Sequence, residues 1–411
     1  MRISGDIKIR LTARALLCLL SLMVMPPLTA QTVTVFEGAR LIPGNGNAPI
    51  EDAILMIENE RITAVGRRAE IPLPEGVRRI DLAGKTVMPA IIDTHKHLSG
   101  EREQLITQLR DLAYFGVGTV MSLGQDVSDV PFEVHEESIP GTAREYTAGR
   151  GISMPEPGRS EAPIWVTTEA EARQAVRDQV ERHVDFIKIW VDDRDGQYEK
   201  LSPAMYSAII EEAHLNNTKV TAHIYKMDDA KGLIRAGIDA FAHGIRDQDI
   251  DEETVRLFRQ HPDVVLVPNL PERGVANDMS WLKGWIPDQQ IEKLQEETVD
   301  QPEVQKFFGI QARNMLKLHK AGAKIAFGTD GSVLWEHHLE MENMVAAGMT
   351  PAEVIVAATR NSAELIGLSD VGVIASGNLA DFIVLDANPL EDIKNTRKIN
   401  AVYVRGQKVE R

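Results

Sequence analysis

Residues 87–98 read VMPAIIDTHKHL, an apolar run of strand length that ends in two histidines one residue apart. Side chains alternate between the two faces of a strand, so His95 and His97 point the same way while Lys96 points to the other side. Two imidazoles in register at a strand end suit a shared metal better than a packed core. Four more runs end in the same manner. DFIKIWV (185–191) carries Lys188, KVTAHI (219–224) carries His223, DAFAHG (239–244) carries His243, and KIAFGTD (324–330) closes on Asp330. In a barrel of parallel strands the C-terminal strand ends converge on one face, where such folds keep their chemistry. His95, His97, Lys188, His223, His243 and Asp330 therefore read as one metal site.

Working outward, apolar strand candidates fall near 88–95, 118–123, 145–149, 185–191, 219–224, 239–243, 264–268 and 324–329. Amphipathic stretches such as EAEARQAVRDQVERH (169–183) and PAMYSAIIEEAHLNN (203–217) lie between several of them. Eight βα units over residues 87–366 match a (β/α)8 TIM barrel in count and size. Residues 31–86 and 367–411 are rich in short β segments with turn residues between them, and the expectation is a small composite β-sandwich domain built from both ends. One connection, 269–323, is too long for a simple loop. It carries two tryptophans expected to be exposed, Trp281 and Trp285, and reads either as a cover over the site or as a surface helical pair.

Composition excludes several partners. The chain has 411 residues, 43% apolar and 26% charged, with a formal charge of −16. A balance this acidic argues against nucleic acid and anionic membrane surfaces. Residues 1–30 stand apart: Arg2, Lys8, Arg10 and Arg14 precede the apolar ALLCLLSLMVM, then PPLTA. This is the layout of a secretory signal peptide cleaved after Ala30, with an apolar run too short for a comfortable span, so a secreted or periplasmic enzyme with no stable membrane span is expected. Cys18 is the one cysteine in the sequence. A cleaved chain would have no thiol, which leaves histidine, carboxylate or something less common to bind metal.

Lys188 is the unusual member of the set. In FIKIWV the alternation puts Phe186, Lys188 and Trp190 on one face. A buried ammonium is costly unless paired or chemically changed. It is a snorkelling lysine, an ion pair with Asp192 or Asp193, or a lysine carboxylated by CO2 into a metal-bridging anion. Asp330 could bind metal and also take a proton from bound water. Tyr225, two residues beyond His223, either donates to a developing oxyanion or packs the rim. Arg150 and Arg246 are cations at the expected mouth and suit a substrate carboxylate, although either could be an ordinary surface ion-pair residue. His337 and His338 read as loop residues beside the site. His135, His183, His214, His261 and His319 need no metal explanation.

At this point the residues carry a resemblance. VMPAIIDTHKHL, Lys188, His223, His243, the GTD at 328–330, PAEVIVAATRNSAELIGL (351–368) and GVIASGNLADFIVLDANPLEDI (372–393) together resemble the amidohydrolase superfamily over nearly the whole mature length. Within it the chain is most similar to the secreted imidazolonepropionase-like and prolidase-like branch. The mononuclear deaminases are less similar: they place a Glu three residues after the fifth-strand His, where this chain has Lys226. The resemblance implies two divalent metals, with zinc the default. His95, His97 and Asp330 would hold one metal and His223 and His243 the other, with carboxylated Lys188 and a hydroxide bridging the pair.

The expected function is thus a binuclear metal-dependent amidohydrolase that cleaves a C–N bond, in a dipeptide or N-acyl amino acid. Hydroxide attacks the carbonyl and Asp330 acts as base, then acid. The alternatives are hydrolysis of an ester, lactone or cyclic amide on the same site, and a non-catalytic periplasmic binding protein.

Overall fold

The N-terminal segment Val33–Leu41 pairs antiparallel with Ile50–Glu58, which pairs with Arg61–Arg67, a meander set by alternating apolar residues with turns between them. The computed structural model describes residues 33–331 and 333–411; the proposed signal peptide lies outside them. On the other edge of the same sheet, Thr86–Pro89 joins Val33–Leu41 to Phe382–Leu385, and Ile399–Val404 and Gln407–Lys408 follow. Strands from both ends of the chain therefore share one eight-stranded sheet. Phe36, Phe382 and Tyr403 tie them together, with Phe382 stacked on Tyr403 at 4.6 Å and Phe36 edge-on to Phe382 at 5.2 Å.

The middle of the chain forms two parallel sheets. Three strands, Ile91–Lys96, Val117–Ser122 and Arg144–Thr147, make the smaller. The larger runs through Ile164–Trp165, Ile152–Ser153, Phe186–Val191, Lys219–Ile224, Ala240–Ala242, Val265–Val267 and Lys324–Ile325. Backbone bonds bridge both seams: Thr94 N–H donates to Phe327 O at 2.9 Å, and Asp185 N–H to Thr147 O at 2.9 Å. Alternation divides the strands as the period of two requires. Phe186, Ala240, Ala242, Val265 and Val267 pack together on one face, while Ile187, Ile189, Phe241 and Leu266 face the helix layer. Helices start where their caps direct them. Thr168 and Glu171 form a reciprocal capping box ahead of Glu169–Glu181, and Ser202 caps Pro203–Leu215, whose proline occupies the first turn.

Three expectations change. The last strand is regular only over Lys324–Ile325, because after the Ala326 N–H bond to Leu266 O the chain leaves that neighbour, and Phe327 and Thr329 bond to Thr94 and His95 instead. The short strands Ile152–Ser153 and Ile164–Trp165 had no sequence signal strong enough to name them. Trp281 and Trp285 are half-buried rather than exposed. Arg397 lies over the Trp281 ring at 4.4 Å, and Trp285 packs against Phe115 at 4.7 Å. The long connection holds the helices Asp288–Glu297 and Pro302–Lys320. No helix among the described residues is long and apolar enough to cross a membrane.

Glu145, on the strand Arg144–Thr147, is buried and neither carboxyl oxygen has a hydrogen-bond partner. Burial, reinforced by Asp126 and Asp185, pushes its carboxyl up to about 9. The folded chain therefore keeps a proton that the unfolded chain loses, so this group's contribution to stability falls as pH rises from the ordinary glutamate range to about 9. Glu145→Gln is expected to remove that dependence and to stabilise the protein by at most about 3 kcal/mol at pH 7. Urea unfolding at pH 5 and pH 8 checks this. A variant no more stable than wild type at pH 8 contradicts it.

Candidate metal centre

The strand ends bring four imidazoles and one carboxylate together. Asp330 Oδ1 lies 3.0 Å from His95 Nε2 and 2.9 Å from His97 Nε2, and its Oδ2 lies 3.3 Å from His243 Nε2. His223 joins through His243, their ring centroids 4.5 Å apart. Among the described residues, His95, His97 and Asp330 place one ligand atom each within 4.8 Å of one another, a grouping able to hold a cation. Backbone strain accompanies the arrangement. Asp330 sits at φ +60° and His243 at φ +109°, conformations that most L residues avoid and that cluster at functional sites. Glycine permits the approach of the strands: a Cβ at Gly328 would stand 2.8 Å from His95 Cβ.

The protonation pattern fits a cation. Asn269 Oδ1 lies 3.0 Å from His95 Nδ1, which donates to it. A neutral His95 then has no proton on Nε2, so its 3.0 Å approach to the Asp330 carboxylate sets lone pair against lone pair. Both atoms are then lone-pair donors that one cation could share. Burial, followed by the charge of Lys188, pulls His95 down to about 4, so a proton is a poor candidate near neutrality. Burial also pulls His223 and His243 well below the ordinary histidine value. For Asp330 burial acts upward, but the imidazoles of His95, His97 and His243 outweigh it and hold the carboxyl well below the usual carboxylate range. Neutral His95, His223 and His243 beside an ionised carboxylate are the protonation states that metal ligation requires.

Lys188 is fully buried, and its Nζ has no hydrogen-bond partner. Neither expected ion pair forms: Asp192 accepts from Arg194 Nη1 at 2.6 Å, and Asp193 from Lys226 Nζ at 2.5 Å. Burial pulls the Lys188 amine down to about 7, partly offset by the Asp330 charge. Gly124 makes room for this side chain, since a Cβ there would stand 2.7 Å from Lys188 Cγ.

The outer residues divide. Arg246 reaches the site, with Nη2 at 3.4 Å from His223 Nε2, and it lies over the half-buried Tyr225 ring at 5.3 Å. Arg150 does not join them. Its guanidinium donates to the carbonyls of Glu161, Ala162 and Pro163 at 2.7–3.2 Å, holding its own loop. His337 and His338 belong to the helix Glu336–Ala346 rather than a loop and are fully buried, bonded to Phe115 O and Thr396 Oγ1. Sequence reasoning missed Asn269 and Arg194, and paired Asp192 with Lys188 where it meets Arg194 instead. Arg194 Nη1 stands 3.0 Å from His223 Nε2 and is anchored by Asp192 and Glu156. No local spacing announces them. A cavity of about 320 Å³ is lined by Leu270, Thr329, Val333, Trp335, Leu339 and Glu340 among others; it includes the residue before Asp330 but none of the clustered side chains.

The sequence pattern of the amidohydrolase family matches residues 86–409, a span that includes every residue of this cluster. The chain belongs to the amidohydrolase family. It is accordingly a metal-dependent hydrolase of the class that acts on carbon–nitrogen bonds. Among curated amidohydrolase relatives, Aspergillus niger ochratoxinase is 28% identical, covering 90% of this chain and 84% of its own. Imidazolonepropionase from Streptomyces griseus is 26% identical, covering 89% and 95%. A solved Bifidobacterium longum protein, provisionally assigned as a prolidase, superposes with a TM-score of 0.77 at 27% identity, covering 92% of this amidohydrolase and 95% of that chain.

Proposed function

We propose that this amidohydrolase is a binuclear enzyme that cleaves an amide bond in a dipeptide or N-acyl amino acid. The observation that carries it is the buried, unpartnered Lys188 amine beside four imidazoles and an ionised Asp330. We assign His95, His97 and Asp330 to one divalent metal, His223 and His243 to the other, and carboxylated Lys188 to the bridge, with zinc the default for such ligands. The two parallel sheets are taken as one closed (β/α)8 barrel over 87–366, with 31–86 and 367–411 as its composite β-sandwich. Residues 1–30 carry the export reading.

Bound metals would supply an acidified water and Lewis-acid polarisation of the substrate carbonyl. The chain's own groups do the rest. Asp330 takes the proton of the attacking water and returns it to the leaving nitrogen, so one carboxylate acts as base and then acid. Tyr225 O–H donates to the carbonyl oxygen as charge develops there. Arg246 pairs with the substrate carboxylate, and Arg150, engaged by its own loop carbonyls, does not.

Elemental analysis of the purified protein and a panel of dipeptides, N-acyl amino acids, esters and lactones test this. About two metals per chain and turnover confined to the carboxylate-bearing amides are expected. One metal, or a preference for esters or lactones, overturns the binuclear amidase assignment. A metal-free, inert protein would mark a binding protein instead.

A further inference from the structure

Lys96 stands between the two metal-facing histidines of its strand yet points to the opposite side, fully buried. Its ammonium has four acceptors: Thr329 Oγ1 at 3.2 Å, Gly331 O at 2.9 Å, Val333 O at 3.0 Å and Glu336 Oε1 at 2.6 Å. An ammonium carries three protons, so these partners saturate it with one proton shared. All four lie in residues 329–336, the segment that flanks Asp330. The same segment is tied to the strand from its near end. Thr329 Oγ1 donates to Asp93 Oδ2 at 2.8 Å, and Asp330 N–H donates to His95 O at 2.7 Å. Gly331 lets the turn close, because a Cβ there would collide with the Glu336 carboxylate. Asp330 thus sits at φ +60° between two fastenings, one to the His95 backbone and one around the Lys96 ammonium.

We infer that Lys96 is a positioning residue: it holds Thr329, Gly331, Val333 and Glu336 around its ammonium and so sets where the Asp330 carboxylate stands relative to His95, His97 and His243. Burying an ammonium is unfavourable, and a methionine of similar length would fill the same space without that cost. Such a methionine would leave two carbonyls and a carboxylate without their donor, and the strained turn at Asp330 would lose its outer fastening. The same strap carries Thr329, Val333 and Glu336, which line the neighbouring cavity, so one side chain couples the metal ligand to the cavity wall.

This inference rests on the proposed role of Asp330, and the test separates the two. Turnover of the metal-loaded enzyme is measured for Lys96→Met, Asp330→Asn and the double variant. Lys96→Met is expected to lose about 10–100-fold in kcat, the usual loss when a group that orients a ligand is removed. Adding it to Asp330→Asn should cost less than about threefold more, because a group that acts through Asp330 then has nothing to act on. Multiplicative losses overturn the positioning role. Near-wild-type turnover of Asp330→Asn itself overturns the catalytic assignment instead, which is a different result. Lys96→Met/Glu336→Leu removes both charges and guards against a misfolded single variant. It should regain the melting temperature without regaining turnover, and recovery of both overturns the inference. The visible absorption of the cobalt-loaded protein gives a reading independent of activity. A spectrum in the variants identical to wild type would mean the ligand had not moved.

Discussion

Asp330→Asn loses about 10³-fold in kcat while the protein keeps its fold, a loss within the range that general acid–base groups supply. The carboxylate accepts from or opposes three imidazoles at 2.9–3.3 Å, and no other acidic side chain among the described residues groups with His95 and His97 in that way. Asparagine is the same size, so the pocket does not collapse. It is also among the residues that best tolerate a left-handed backbone, so φ +60° costs it little. What it lacks is the second anionic oxygen and any capacity to take a proton near neutrality. Steady-state kinetics and a circular dichroism melt check both halves. Activity within about threefold of wild type would remove Asp330 from the proton path, far short of the loss a working acid–base group predicts.

Lys188→Ala is the second large effect. Bound metal should fall from about two per chain to one or none, and kcat by more than the roughly 100-fold typical of a group that only orients a ligand. The amine lies buried with no hydrogen-bond partner, beside Trp190 at 5.3 Å and within the electrostatic reach of His95, His223 and Asp330. Alanine loses the packing of the Lys188 stem but breaks no hydrogen bond and removes an unfavourable buried charge, so the fold should survive. A carbamate on that nitrogen would convert the unfavourable cation into the anion that two cations need. Labelling with ¹³C-bicarbonate should give a carbamate resonance in wild type and none in the variant. Unchanged metal content would make Lys188 structural, and a wild type with no carbamate signal would leave the bridge to another group.

Much of this site was legible before any tertiary contact was known. The alternation in FIKIWV puts Lys188 with Phe186, and Phe186 packs with Ala240, Ala242, Val265 and Val267 on one face of the sheet. HKH puts two imidazoles on one side and Lys96 on the other because a strand has a period of two. Strand positions near 185–191 and 219–224 correspond to Phe186–Val191 and Lys219–Ile224 for the same reason. Where strands are only two residues long, as at Ile152–Ser153 and Ile164–Trp165, there is too little alternation to read, and both went unread.

The sequence by itself singled out the residues that cluster at the strand ends and which way each points along its own strand, since those follow from side-chain type and local periodicity. Only the tertiary structure decided who meets whom. Asn269 orients His95 from 174 residues away, Lys96 reaches Glu336 across 240, and Arg150 turns to its own loop carbonyls while Arg194, unremarkable in sequence, lies against His223. The physical reason is that a strand's alternation is imposed by each residue's own backbone, whereas a hydrogen bond between distant segments depends on how sheets and loops pack, which no spacing along the chain records.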